Sequence, residues 1–221
     1  MLFRLYNSMR GASFTDILIQ VAVIIAAVML CMIVHELCHG LAAYALGDPT
    51  AKTSGRLSFN PVRHIDPIGA LMLLFVGFGW AKPVQVDPRY FDNPKRDMAL
   101  TALAGPFSNF LMAFLAMGIW VHTAVWSLLR GGTPGYALYS FLEAVIYLNI
   151  GLGVFNLIPF PPLDGSKVLG AFLSDRAYWA LMRYERYGMI VLIVLSMTGS
   201  LGGFLQNFVT GIAKAMQSVW I

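Results

Sequence analysis

The stretch His35-Glu36-Leu37-Cys38-His39 decides the fold of this chain, because it places ionisable side chains inside a long apolar run. It has the pattern His-Glu-x-x-His. Residues four apart lie on one face of a helix, so both imidazoles can reach one metal ion. The glutamate beside the first histidine can then act as general base on a water molecule at the metal. An ionisable cluster at membrane depth is costly to bury, so the stretch predicts a functional site.

The composition is that of a polytopic membrane protein. Of the 221 residues, 58% are hydrophobic and only 12% are charged, which is far from the composition of a soluble domain. The formal net charge is +4. The basic residues lie mostly between apolar runs, where they set membrane topology, and they give no indication of nucleic-acid binding. We predict a single integral-membrane domain over residues 1–221, embedded in the lipid bilayer, with a catalytic core from about residue 15 to residue 173.

Long apolar runs predict the membrane-spanning helices. The first helix is expected from about Asp16 to Leu46, with Ser13 or Thr15 as its N-cap and Gly47 as its stop. Further runs cover Met98–Leu129, Tyr136–Ile158 and a last stretch that starts near Tyr187 and breaks at Gly202–Gly203. The pattern predicts an all-α polytopic membrane protein with about four to five transmembrane helices.

A polar interval and a short apolar segment follow the first helix. In the polar interval, Thr53 and residues 56–59 favour a short strand. His64 and Asp66 are expected to stabilise a turn that leads out of this interval. The apolar segment, Ile68–Ala81, is short for a crossing and typical of a re-entrant segment. The sequence therefore predicts a re-entrant or β-like insertion after the first helix.

Asp164 is the candidate for a third metal ligand. It follows three prolines that interrupt a helix at membrane depth, and a carboxylate placed there needs a partner. Two histidines and one carboxylate, with an open fourth position, form a common catalytic zinc site. Another divalent ion is compatible with the same donors. The alternative is a structural turn, because Asp164-Gly165 is also a common turn pair.

A metal shared by His39 and Asp164 constrains the topology. If Ile68–Ala81 crossed the membrane, these two residues would lie on opposite sides; if the segment is re-entrant, they meet on one side. In the re-entrant arrangement, 11 of the 15 Lys and Arg residues lie on the side of the site. The charge rule by itself barely separates the two arrangements. Together with the metal geometry, it predicts an extracytoplasmic N-terminus and a site that opens towards the cytoplasm from the cell membrane.

Three sequence blocks together resemble the site-2 protease family of intramembrane zinc metalloproteases. They are HELCH at residues 35–39, AGPFSN at 104–109 and NLIPFPPLDG at 156–165. Two intervening blocks, FNPVRHIDPIG at 59–69 and GWAKPV at 79–84, are similar to a compact bacterial and archaeal subgroup. We find no PDZ or CBS domain of the kind that many members carry. The resemblance covers roughly Val34–Leu169.

The resemblance implies a reaction and its residues. The family cleaves transmembrane helices of substrate proteins, often anti-sigma factors or membrane-tethered transcription regulators. His35, His39 and Asp164 would be the ligands of one Zn²⁺, and Glu36 would be the general base. Asn156 would lie by the active site and hold substrate or an oxyanion. A helical substrate must first unwind locally, and residues 48–63 are expected to offer it a strand edge.

Some interpretations stay open at this point. A metal-dependent transporter or ion relay can use the same cluster, although a pure ligand cage does not need Glu36 beside His35. Asn109 can serve either a structural or a catalytic role. Cys38 lies off the shared face of the two histidines, so we expect no metal role for it.

Overall fold

The structure is a computed structural model that describes residues 13–76, 82–125 and 133–221. Over these ranges the chain is mostly helical, with nine α-helices and two short 3-10 turns. The helices are α1 (Phe14–Ala45), α2 (Thr50–Thr53), α3 (Pro67–Val76), α4 (Pro94–Val125), α5 (Thr133–Asn156), α6 (Asp164–Ala171), α7 (Asp175–Arg183), α8 (Glu185–Met197) and α9 (Ser200–Trp220). The 3-10 turns are Pro61–Arg63 and Pro88–Tyr90.

Local side-chain chemistry sets both ends of α1. Ser13 Oγ accepts a hydrogen bond from the backbone N–H of Asp16, and the Asp16 carboxylate accepts one from the backbone N–H of Ser13, which is a capping box. At the other end Gly47 has a φ of +104°. The backbone N–H of Asp48 donates to Ala43 at 2.9 Å, as in a glycine-terminated helix. The predicted start, N-cap and stop of this helix are thus confirmed within two residues.

Three helices are long and apolar enough to cross a membrane. They are α1, the Pro94–His122 part of α4 and the Ala137–Asn156 part of α5. The apolar parts of α8 and α9 meet at 82° and add a fourth span if the bent pair counts as one. The all-α polytopic fold is therefore confirmed, with three to four candidate spans in the described ranges where the sequence predicted four to five.

The core forms where α1, α4 and α5 pack together, with α9 against the last two. Small residues let helices approach closely in a membrane, where lipid tails leave little hydrophobic driving force. The buried core residues are Ala27, Ala113, Ala116, Met117, Leu142, Val145, Ile146, Ile150 and Ala213. The Trp220 indole N–H donates to the backbone carbonyl of Phe114 at 3.2 Å, which holds the end of α9 against α4.

The segment after the first helix returns to the place where it starts. The backbone N–H of Lys82 donates to the carbonyl oxygen of His64 at 2.9 Å. Between them, α3 has 10 residues and a length of about 15 Å, half the thickness of the hydrocarbon core. Residues 77–81, the end of the predicted segment, lie outside the described ranges. Because both ends of the segment meet, the geometry agrees with a re-entrant segment and not with a crossing.

His64 and Asp66 stabilise the entry to this segment, as the sequence predicted. The His64 Nε2 atom lies 2.7 Å from the carbonyl oxygen of Ser58. The Asp66 Oδ1 atom accepts from the backbone N–H groups of Ile68 and Gly69, both at 2.9 Å. Asp66 thereby satisfies N–H groups in the first turn of α3 that have no partner within the helix.

The strand predicted at Thr53 and residues 56–59 is wrong. Thr53 ends the short helix α2, and the described residues of the 48–63 interval form no strand. Asp48 Oδ1 accepts from the backbone N–H of Thr50 at 2.9 Å, and the Asn60 side chain caps the following 3-10 turn. Such local side-chain bonds compete with strand pairing. The strand edge expected at residues 48–63 is therefore not formed in this structure.

The break in the last apolar run also differs from the prediction. It lies between Met197 and Ser200, where Gly199 has a φ of +73°. Gly202 and Gly203 continue α9. A left-handed residue ends a helix, and glycine adopts that conformation without steric cost, whereas two glycines within a helix only weaken it.

Labelling of single cysteines tests the re-entrant segment. In a Cys31→Ala/Cys38→Ala background, Lys52→Cys precedes the segment and Arg89→Cys follows it. We expect a membrane-impermeant maleimide to label both from the same side of the membrane, and to label Phe14→Cys from the opposite side. Labelling of Lys52→Cys and Arg89→Cys from opposite sides would show that the segment crosses.

Candidate metal centre

The two histidines of α1 present their ring nitrogens to each other across one helical turn. His35 Nε2 and His39 Nε2 are 3.0 Å apart, and both side chains are buried. Helical geometry alone produces this pairing, because residues four apart share a face. The four-residue spacing therefore predicted the contact correctly.

A sharp return of the chain brings in Asp164. Helix α5 ends at Asn156 and α6 begins at Asp164. A β-carbon on Gly165 would overlap the backbone where α5 ends, so only glycine permits so close an approach. Asp164 Oδ2 consequently lies 3.3 Å from His35 Nε2 and 3.2 Å from His39 Nε2. The structure thus brings together all three residues predicted as metal ligands.

The three ligand atoms form a triangle with the dimensions of a zinc site. Its edges are 3.0, 3.2 and 3.3 Å. Zinc bound tetrahedrally at about 2.0–2.1 Å requires donor atoms about 3.3 Å apart. Among the described residues, His35, His39 and Asp164 form the one group of three or more such donors close enough to hold a metal ion. The second carboxylate oxygen, Asp164 Oδ1, is 3.9 Å from Lys167 Nζ.

The other ring nitrogens leave the Nε2 lone pairs free for a metal. His39 Nδ1 lies 2.7 Å from the carbonyl oxygen of Thr101. A carbonyl only accepts, so His39 Nδ1 donates, and in the neutral imidazole Nε2 then carries the lone pair. His35 Nδ1 lies 2.6 Å from the Asn109 side-chain oxygen. Outer hydrogen bonds of this kind orient metal-binding histidines. The sequence left the role of Asn109 open and did not indicate Thr101, whose contribution is a backbone atom.

Gly105 of α4 lies directly against the two imidazoles. A β-carbon there would overlap His39 Nε2 and would lie 2.6 Å from His35 Cε1. The position belongs to the AGPFSN block, which the sequence singled out without giving this reason. Only a residue without a side chain allows α4 to pack over the metal-binding face of α1.

Known proteins resemble this chain over most of its length. The model of the family described as "Peptidase family M50" matches residues 122–199. Two relatives share the name "Putative zinc metalloprotease". YwhC of Bacillus subtilis is 40% identical over 166 residues, which cover 74% of this chain and 75% of YwhC. Rip2 of Mycolicibacterium smegmatis is 27% identical over 210 residues, 92% of this chain and 76% of Rip2. No solved structure matches the chain.

This chain belongs to peptidase family M50. The resemblance to site-2 proteases is thereby confirmed. The match to the family model includes Asp164, and HELCH lies outside it. The relatives carry the name of zinc metalloproteases, and in this chain the cluster of His35, His39 and Asp164 can hold one metal ion.

Glu36 follows the first histidine of the M50 chain but stands apart from the ligand triangle. Its Oε2 atom accepts a hydrogen bond from the backbone N–H of Val84 at 2.8 Å. Val84 belongs to a non-helical tract at residues 82–87 that follows the re-entrant segment. The tract is also attached through Asp87, whose N–H donates to the buried Asp48 carboxylate at 2.8 Å. The backbone of this tract therefore orients Glu36.

Asn156 lies at the last turn of α5, half-buried. Its side-chain N–H₂ donates to the carbonyl oxygen of Leu152 at 3.0 Å, one turn back along α5. Its role near the active site stays a prediction. Cys38 is half-buried, and its expected lack of a metal role also stays a prediction.

The substitution Gly105→Ala tests whether the imidazoles need the space that glycine leaves. Alanine has a higher helix propensity than glycine, so any loss of zinc affinity comes from the added β-carbon and not from a weaker helix. We expect zinc affinity to fall at least tenfold, or about 1.4 kcal/mol, in a competition titration with a chromophoric chelator. Gly211→Ala in α9, which meets nothing within 4 Å, is the control. Unchanged affinity in Gly105→Ala would contradict the packing described.

Proposed function

We propose that the chain is an intramembrane zinc endopeptidase that cleaves peptide bonds within or near the transmembrane segments of other membrane proteins. One observation carries the proposal: the triangle of His35, His39 and Asp164 is buried among helices long enough to cross a membrane. A metal-binding site of this kind among spanning helices is within reach of a substrate that is itself in the bilayer. The family membership supports a metalloprotease.

The residues have distinct roles in the proposed reaction. Zinc, when bound, lowers the pKa of water and polarises a carbonyl group. Glu36 takes a proton from the attacking water and later gives it to the leaving amine, as a general base and then a general acid. The Val84 N–H holds the Glu36 carboxylate in one orientation while it does so. This role explains why an acid lies beside His35 without being a ligand.

Asn156 is proposed as a group that holds substrate or donates to a developing oxyanion. A neutral amide N–H₂ is suited to that task. The same N–H₂ group donates one hydrogen to the carbonyl oxygen of Leu152 within α5. An amide nitrogen carries two donors, so the second N–H can serve a substrate group while the bond to Leu152 stays in place.

The proposed substrates are single-span membrane proteins, such as anti-sigma factors or membrane-tethered regulators. Their helical carbonyl groups are hydrogen-bonded within the helix, so a short segment must unwind before hydrolysis. We propose that the chain lies in the cell membrane with the site opening towards the cytoplasm, because in the re-entrant arrangement 11 of the 15 basic residues lie on the side of the site. Lys52 and Arg89 then lie on the cytoplasmic side.

The substitution Glu36→Gln tests the proposed function. The amide keeps the shape of the side chain but cannot take a proton, so cleavage of a co-expressed single-span protein should fall by about 10²–10⁴-fold. Zinc should stay at one ion per chain, because Glu36 is not in the ligand triangle. Blotting of the cleaved product and metal analysis of the purified chain measure the two effects.

Asp164→Asn is the matched variant for the metal. It removes the carboxylate charge and should lower both zinc content and cleavage. Glu36→Gln should lower cleavage alone, so the two variants distinguish loss of the metal from loss of the general base. Undiminished cleavage by Glu36→Gln would contradict the endopeptidase. An intact biological output in that variant would instead favour a metal-dependent transporter that uses the same ligands.

A further inference from the structure

A buried row of polar side chains leads from His35 into the core of the bundle. His35 Nδ1 lies 2.6 Å from Asn109 Oδ1, and Asn109 Nδ2 donates to Asn149 Oδ1 at 2.6 Å. Asn149 Nδ2 donates to the backbone carbonyl of Val145 at 2.8 Å and to Cys31 Sγ at 2.7 Å. Both asparagines are 0% exposed. The row therefore connects α1, α4 and α5 without access to water.

The backbone end of this row fixes the direction of every hydrogen bond in it. The Val145 carbonyl only accepts, so the amide nitrogen of Asn149 must face it and the amide oxygen must face Asn109. The Asn109 nitrogen then donates to that oxygen, and its own oxygen faces His35. An amide oxygen only accepts, so His35 Nδ1 must carry a proton.

We infer that Asn109 and Asn149 are positioning residues that set the tautomer and ring orientation of His35 for metal binding. With a proton held on Nδ1, the lone pair of a neutral His35 lies on Nε2, the atom that faces His39 and Asp164. The Thr101 carbonyl does the same for His39 directly. For His35 the acceptor is the Asn109 oxygen instead of a backbone carbonyl. The hydrogen bonds from Val145 through Asn149 to Asn109 fix the amide orientation that turns this oxygen towards His35.

A purely structural role would also place amides between helices. Buried amides in an apolar bundle are costly unless they are hydrogen-bonded, and asparagines do bond across helices in membranes. Helix association, however, does not depend on which ring nitrogen of His35 carries the proton. A direct measurement of that proton therefore distinguishes the positioning role from a structural one.

The test is ¹⁵N NMR of the full-length chain labelled on histidine, in detergent micelles with and without zinc. The chain has 4 histidines, so the ring nitrogens can be assigned by single substitutions. In the wild type we expect His35 Nδ1 to be protonated in both states. In Asn109→Leu and Asn149→Leu we expect metal-free His35 to populate both neutral tautomers, with the proton on Nδ1 or on Nε2. Zinc affinity should fall about 10–100-fold, the usual effect of removing an outer-shell partner of a metal ligand.

Two further variants serve as controls. Cys31→Ala removes one partner of Asn149 but leaves the Val145 carbonyl, so the His35 tautomer and the zinc affinity should stay as in the wild type. Asn109→Asp keeps an oxygen opposite His35 Nδ1, so it should retain the Nδ1 proton that Asn109→Leu loses. His64 and His122 lie outside α1, and each ring makes a hydrogen bond to a backbone carbonyl. Their signals therefore report whether each variant is folded.

The inference is overturned if His35 Nδ1 is unprotonated in the wild type, an outcome that does not depend on any variant folding. It is also overturned if the folded leucine variants bind zinc as the wild type does. The inference rests on the proposed metal site, but its test requires no cleavage. A chain that binds zinc with this row of hydrogen bonds intact and cleaves no membrane protein would contradict only the proposed function.

Discussion

Three ligand atoms held within 3.3 Å of one another, away from water, are the constraint on which the rest of this structure depends. Two nitrogen lone pairs and a carboxylate oxygen repel each other unless a proton or a metal cation lies between them. Burial increases that repulsion, because the low local dielectric weakens screening. A metal ion, which this cluster can hold, would remove that repulsion and accounts for the packing.

The surrounding helices each satisfy part of this constraint. α1 supplies both histidines from one face, and the close contact at Gly165 allows α6 to deliver Asp164. Gly105 lets α4 cover the imidazoles, and the outer hydrogen bonds of α4 keep their Nδ1 atoms as donors. The re-entrant segment starts and ends at the same place, which keeps the exit of α1 and the start of α6 on one side. The metal site and the topology thus depend on each other.

Local patterns predicted much of this from the sequence, and tertiary contacts account for the rest. The bounds of α1 and its histidine pair follow from caps and helical spacing, and Asp164 follows from the chemistry of a broken apolar helix. The strand at 56–59 was wrong because side-chain bonds within the loop outweigh its β-propensity. Asn149 was missed since a lone amide in an apolar run has no spacing that indicates a partner. The role of Gly105 depends on a neighbouring helix.

X-ray absorption at the zinc edge of the purified full-length chain tests the central claim most directly. The account predicts one zinc per chain with two imidazole nitrogens and a carboxylate oxygen at about 2.0–2.2 Å and no sulfur ligand. A sulfur shell at about 2.3 Å would assign a ligand role to a cysteine such as Cys38. That result, or a single imidazole in place of two, would contradict the site formed by His35, His39 and Asp164.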